Sequence, residues 1–280
     1  IDKSNGEEIW SFKADSSYQY YSPWKIILDG DVIFIAGTDG TVRKIDKNSG
    51  KEVDKFSLSG RPQSMTLDQN RIYAGVQISE NNQVIGGKII AIDKSTGNEV
   101  WSIEEDPYSQ PIAINGNYLY SGVEYSDLVK LNKNNGQEIW RFDEHSHPIN
   151  AIIVDENYVY TGSSDGTIRK VDVQTGEGVL GFSEVFRSQS IHSIAIDESY
   201  IYSGVGQNSL VKINKTSMEE VWKFEGHTNR VKAIVVDEDY VYSAGWDNTL
   251  RKINKETGKE VWKFEGHTSY IETLEIEVLE

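Results

Sequence analysis

Glu220-Val221-Trp222-Lys223-Phe224-Glu225-Gly226-His227-Thr228 returns residue for residue as Glu260-Val261-Trp262-Lys263-Phe264-Glu265-Gly266-His267-Thr268. Each copy follows an Ile-Asn-Lys tripeptide, at 213–215 and 253–255. Working outward, the same Asp or Asn anchor stands at Asp2, Asp46, Asp93, Asn132, Asp172, Asn214 and Asn254, in steps of 44, 47, 39, 40, 42 and 40 residues. A period near forty built from short alternating segments specifies a closed radial array, because one unit alone cannot bury its apolar face. Residues that recur at this period are therefore read first as packing positions.

One unit shows the plan. Val231–Val236 is rich in β-branched residues and reads as a buried strand. Asp237-Glu238-Asp239 is a polar turn, Tyr240–Gly245 a second strand, and Trp246-Asp247-Asn248 a second turn. Residues 249–253 form a third strand, Asn254 to Gly258 a turn in which Gly supplies a positive φ, and Glu260–Phe264 a half-exposed fourth strand. Four short strands with short connections make an antiparallel meander, the blade of a β-propeller. All five prolines fall between a fourth strand and the next first strand. No helix and no low-complexity segment is expected.

Six second strands and six third strands can be counted, against seven fourth strands beginning at residues 8–12 and seven first strands ending at 271–276. The expected architecture is thus an all-β propeller of seven blades, with six or eight as alternatives. The seventh blade would be shared by the two ends and lack its middle strands. The opening Ile1 in mid-repeat and the off-pattern Leu279-Glu280 point to one propeller domain over 1–280, cut from a longer chain. An incomplete blade exposes a ladder, which predicts self-association.

Composition narrows the function. With 28 basic and 44 acidic side chains the net charge is −16, which argues against nucleic acid and anionic membrane surfaces. No apolar run is long enough to cross a bilayer, so no membrane insertion is expected. The absence of cysteine excludes disulfides and thiolate metal sites and leaves the compartment open.

The stretch Ala91-Ile92-Asp93-Lys94-Ser95-Thr96-Gly97-Asn98-Glu99-Val100-Trp101 resembles the repeat of quinoprotein-like propellers, in which the Trp docks between neighbouring blades. Trp10, Trp101, Trp140, Trp222 and Trp262 all lie eight residues after an anchor; Asp54 and Leu180 break the rule, so those two junctions are expected to be weaker. Gly226-His227-Thr228 and Trp246-Asp247-Asn248-Thr249-Leu250-Arg251 resemble the WD repeat, although Ile253-Asn254 stands where that family has its Trp-Asp pair. His227, Ser243 and Asp247 would supply three members of that family's hydrogen-bonded set. The resemblance implies a propeller. Its enzymatic members use a quinone, a Ca²⁺ and adjacent cysteines. Non-enzymatic relatives include the lipoprotein of outer-membrane protein assembly.

Catalytic and metal readings find little support. Asp93 to Glu99 is too short for an EF-hand and recurs as turn chemistry. His145-Ser146-His147 lacks further zinc ligands. No nucleophile elbow is present, and Ile85-Gly86-Gly87 precedes no helix. No catalytic residue, metal site or cofactor is assigned. The turns between first and second and between third and fourth strands share one face, where Asp155-Glu156, Asp197-Glu198 and Asp237-Glu238-Asp239 read as a solvated acidic surface. The opposite face carries the departures from the repeat, including 15–23 and 77–87. It gathers Tyr18, Tyr20, Tyr21, Tyr108 and Tyr270 with six expected anchors: Trp24, Arg61, Tyr125, Arg187, Arg230 and Trp246. Aromatic and Arg side chains dominate binding hot spots. The expected function is a non-catalytic scaffold for a protein or peptide. A small ligand or carbohydrate at the channel mouth comes second, and a quinone-dependent enzyme third.

Overall fold

The computed structural model describes residues 2, 4, 5, 7–12, 23–81, 83–105, 111–182 and 189–276, with the side chains of 180–182 excepted. Within them the chain forms six four-stranded antiparallel sheets and no helix. The first comprises β1 (Pro23–Asp29), β2 (Val32–Gly37), β3 (Thr41–Asp46) and β4 (Glu52–Ser57). The second comprises β5 (Arg61–Leu67), β6 (Arg71–Glu80), β7 (Gln83–Asp93) and β8 (Glu99–Glu105). The third holds β9 (Ile112–Asn115), β10 (Tyr118–Val123), β11 (Asp127–Asn132) and β12 (Glu138–Phe142), and the fourth β13 (Ile149–Val154), β14 (Tyr158–Ser163), β15 (Ile168–Asp172) and β16 (Gly178–Phe182). The fifth holds β17 (Ile191–Ile196), β18 (Tyr200–Val205), β19 (Ser209–Asn214) and β20 (Glu220–Phe224), and the last β21 (Val231–Val236), β22 (Tyr240–Gly245), β23 (Leu250–Asn254) and β24 (Glu260–Phe264). First strands neighbour one another in sequence order, β1 against β5 and onward to β21.

The core lies between sheets. Each second strand sends a large side chain into it: Phe34, Tyr73, Tyr120, Tyr160, Tyr202 and Tyr242 are all at most 2% exposed. Five of the six buried apolar clusters join two adjacent sheets, as where Tyr202 and Leu210 meet Val231, Val241 and Ile253. Buried Tyr hydroxyls need an acceptor. Tyr202 donates to Asp197 at 2.9 Å and Tyr242 to Asp237 at 3.0 Å.

The residue after each anchor is where one sheet is fastened to the next. Trp10, Trp101, Trp140 and Trp222 donate their indole N–H to the carbonyls of Lys47, Lys133, Val173 and Lys255 at 3.0–3.2 Å. The rings lie over Gly50, Gly136, Gly176 and Gly258 of the following turn, where an added Cβ would approach the indole to 3.0 Å or less. These glycines also hold positive φ, so they serve the turn and the docking at once. Lys133, Lys215 and Lys255 reach back to Asp68, Asp155 and Asp197 at 2.9, 2.9 and 3.0 Å. The docked Trp rings are only half-buried, since the fourth strand is the outermost of its sheet.

At the junction where Asp54 replaces Trp, Phe56 fills the space against Gly97. At the junction where Leu180 replaces Trp, the turn glycine is also replaced, by Met218, which is buried at a φ of 57°. Both departures therefore have a large apolar side chain at the same junction.

The expected seven blades are corrected to six. Residues 8–12 and 271–276 are not strands, because neither has a middle strand to pair with. Residues 271–274 instead bridge two sheets: the Ile271 N–H donates to the Gly245 carbonyl at 3.1 Å, and the Ile26 N–H to Thr273 Oγ1 at 3.3 Å. Ile271, Leu274 and Ile276 cover the apolar face of the last sheet. The expected loop at 77–87 is largely a hairpin extension of β6 and β7, paired out to Glu80 and Gln83.

Candidate functional site

The repeat supplies one position that differs among five of the sheets. Five of the six first strands carry a β-bulge at the same register: one extra residue between Pro23 and Lys25, Pro62 and Ser64, Ile149 and Ala151, Ile191 and Ser193, and Val231 and Ala233. The bulged residues are Trp24, Gln63, Asn150, His192 and Lys232. A bulge bends its strand and re-aims one side chain. All five line a single cavity of about 240 Å³ where the first strands converge, together with Glu272 and Thr273 of the bridging segment. The flanking repeat positions keep small or apolar residues except at Lys25, which also lines the cavity, so the diversity gathers on the side chains facing this space.

The cavity's polar groups are only partly satisfied. Asn150 Nδ2 donates to Ser164 Oγ at 2.9 Å and to the Ile191 carbonyl at 2.8 Å. Glu272 Oε1 accepts from the Trp246 indole at 2.9 Å, while its Oε2 and the Trp24 Nε1 are buried without a partner. Burial, reinforced by the charges of Lys232 and Arg230, pushes His192 down to about 4, so its imidazole is neutral near pH 7. Burial also lowers Lys232, with Glu272 opposing and Arg230 adding to the effect.

On the rim, Arg230 lies 5.0 Å and the Lys232 ammonium 5.5 Å from the Trp246 ring centre. Tyr270 stacks on Trp246 at 5.2 Å and 19° and is itself 58% exposed. Of the six expected anchors, the structure brings together Arg230 and Trp246 on this rim and places Trp24 inside the cavity. Trp246 is held on its ring and at its nitrogen, which makes it a supporting residue. Tyr125 is exposed at a φ of 72°, 6.4 Å from His147, away from the cavity. Arg61 is exposed at the start of β5, outside the cavity lining. Arg187 lies outside the described residues, as do Tyr18, Tyr20, Tyr21 and Tyr108. His192, Lys232, Gln63, Asn150 and Glu272 were missed from the sequence. Their signal was present: four of them sit near the start of a first strand and Glu272 at the matching place of 271–276, the place where the unit refuses to repeat.

Two buried constellations have the residue types of a hydrolase triad. His227 Nδ1 donates to Asp247 Oδ2 at 2.8 Å, and its Nε2 shares a hydrogen bond with Ser243 Oγ at 2.8 Å. His145, Asp165 and Thr161 repeat this at 2.8 and 2.7 Å. Ser243 and Thr161 are fully buried and both imidazoles are sealed from solvent, so no substrate carbonyl has access. Thr249 and Thr167 hydroxyls complete the Asp coordination at 2.8 and 2.6 Å. These sets brace the loop entering a first strand against the turn after the second.

The opposite face is less solvated than its composition suggests. Asp155 and Asp197 are tied into the inter-sheet ion pairs, and Asp237 accepts from Tyr242; Glu156, Glu198 and Glu238 face solvent. Among the described residues no three His, Cys, Asp or Glu side chains converge as a metal site, and no helix is long and apolar enough to cross a membrane.

A radial array of repeated four-stranded sheets with Trp docking defines a β-propeller repeat protein. The chain belongs to the family described as outer membrane protein assembly factor BamB, whose model matches residues 1–109, 85–179 and 183–276. No curated protein matches it. Among solved structures it is similar to the WD40 β-propeller domain of Doa1, at 16% identity over 90% of this chain and 85% of that one, with a TM-score of 0.73. It is also similar to the computationally designed Ika8 protein, at 17% identity over 91% of both chains, with a TM-score of 0.69. At these identities the likeness is one of fold.

Proposed function

We propose that the chain is a non-catalytic scaffold that binds a protein or peptide on the face built by the loops between fourth and first strands and between second and third strands. The observation that carries this reading is the contrast between the faces. One presents exposed Tyr270, with Arg230 held over Trp246, beside the mouth of the diversified cavity, and exposed Tyr125 away from it. The other ties Asp155 and Asp197 into inter-sheet ion pairs and Asp237 to Tyr242 of its own sheet. Rigid sheets that display non-repeated side chains suit recognition. The family's description as an assembly factor points in the same direction.

The cavity favours a second reading, a small ligand or carbohydrate at the channel mouth. At about 240 Å³ it falls below the ~300 Å³ at which ligand pockets usually begin, which keeps that reading second. A quinone with its Ca²⁺ does not fit the residues present. Calcium needs six to eight oxygen ligands, and this cavity offers one carboxylate, Glu272, beside two ammonium groups, Lys25 and Lys232.

Affinity capture with the full chain tests the scaffold reading. Arg230→Ala and Tyr270→Ala are expected to weaken a captured partner by about 2 kcal/mol each, and Glu238→Ala to leave it unchanged. A partner lost with Glu238→Ala but kept with both rim variants would overturn the choice of face.

A further inference from the structure

The cavity has a charge that the rest of the molecule lacks. In a protein of net charge −16, its lining holds two ammonium groups, Lys25 and Lys232, against the single carboxylate of Glu272. The Lys232 ammonium feels the charge of Glu272 but forms no ion pair with it or with any other described carboxylate. Trp24 aligns with Lys232 in the bulge register, and its buried N–H has nothing to donate to. A buried donor without an acceptor is destabilising, and a desolvated cation more so. A group that accepts hydrogen bonds and carries a negative charge would relieve either, and both residues line the one cavity.

We propose that the ring of bulged residues binds a single carboxylate, presented by an acidic side chain or the C terminus of a partner polypeptide, through the Lys232 ammonium and the Trp24 indole N–H. The polypeptide source rests on the scaffold reading above. The carboxylate chemistry rests on the cavity alone. A cationic group would meet two ammonium groups, and a neutral amide would leave Lys232 uncompensated. Charge-assisted bonds to an ionised acceptor are the strong ones. The small volume admits one such group and excludes a whole acidic segment. Glu272 sets the limit: Trp246 fixes one of its oxygens, and the other repels a second anion. Gln63 adds an amide N–H that can orient the carboxylate plane, whereas both Asn150 N–H groups are already bonded to Ser164 and Ile191.

The test follows the Trp24 and Trp246 indole N–H signals by NMR in the full chain. The probes are acetyl-Gly-Glu-Gly-amide, acetyl-Gly-Gln-Gly-amide, acetyl-Gly-Gly-Gly with a free carboxylate, and acetate. The two acidic peptides are expected to shift the Trp24 signal saturably, and the Gln peptide is not. Lys232→Gln should weaken the acidic peptides by about tenfold or more, the equivalent of one charge-assisted bond. Trp24→Phe should weaken them by a smaller factor without lowering the melting temperature, because the lost N–H had no partner. Glu272→Gln should tighten them by removing a like charge; a ligand held as a cation or hydroxyl would instead weaken. Saturation by the Gln peptide equal to that by the Glu peptide would overturn the proposal. So would unchanged affinity in both Lys232→Gln and Trp24→Phe. Acetate binding as tightly as the peptides would assign the site to a free small acid and overturn the polypeptide source. Failure of these titrations while Arg230→Ala still abolishes partner capture would leave the scaffold reading standing without this site.

Discussion

The segments 220–228 and 260–268 read identically, yet His227 is 1% exposed, held between Asp247 and Ser243, whereas His267 lies on the surface. Trp222 donates to the Lys255 carbonyl, while the Trp262 indole nitrogen is buried with no partner. What the two copies share is local: each Phe meets its own His edge-on, at 6.2 and 5.4 Å. What separates them comes from the next sheet. Asp247, Ser243 and Lys255 belong to the unit that follows 220–228, and the bridging residues 271–276 offer 260–268 apolar cover without such groups. A repeat of this kind encodes half of a junction and depends on its successor for the other half.

The largest expected effect is at the histidines. His227→Ala removes two buried hydrogen bonds, one of them to the buried Asp247 carboxylate, and leaves a cavity, and should cost about 3 kcal/mol in urea unfolding. His267→Ala should cost less than about 0.5 kcal/mol. Equal costs would mean that the His227 set contributes nothing beyond local packing.

The indoles sharpen the comparison at about 1 kcal/mol. Trp222→Phe keeps most of the ring and loses the bond to Lys255, so it should be destabilising by that amount. Trp262→Phe deletes an N–H that has no acceptor and should be neutral or slightly stabilising. A cost at Trp262 matching that at Trp222 would show that ring shape, and not the carbonyl bond, governs docking.

A pH series gives the smallest effect. Burial by itself raises the Asp247 carboxyl, but the hydrogen bond and charge of His227, with the bonds from Thr249 and the Thr228 N–H, overcome it and hold the group well below the usual carboxylate range. A depressed folded value adds stability that is fully present above the unfolded value of about 3.9 and is lost as pH falls through the folded value. The gap in melting temperature between the parent and His227→Ala should therefore be constant from about pH 7 to 5 and close below about pH 4. The gap between the parent and His267→Ala should stay near zero throughout. A gap that widens on acidification would reverse the sign of this linkage.

How far the chain could be read follows the same division. In the unit 231–264 the sequence reading agrees with β21, β22 and β24 at both ends and with β23 to within one residue, because each boundary is a local event: an Asx turn, a Gly at positive φ, a change in alternation. Trp docking was legible from a fixed offset of eight. The filling of the two exceptional junctions by Phe56 and Met218 was not, since the compensating side chains sit elsewhere in the unit. The face carrying Arg230 and Trp246 was legible from turn alternation. The cavity was not, because its defining residues are set by bulges, and a bulge leaves no mark in alternation until the partner strand's register is known.

The sequence by itself determined the strands, their order within each unit and the division into packing positions and exceptions, because period, turn residues and β-branched alternation act over a few residues. Only the tertiary structure decided the number of blades, the fate of residues 271–276, which of two identical histidines is buried, and which side chains meet in the channel. Each of these depends on a partner distant in sequence, 16 residues away for His227 and Ser243 and 247 for Ile26 and Thr273.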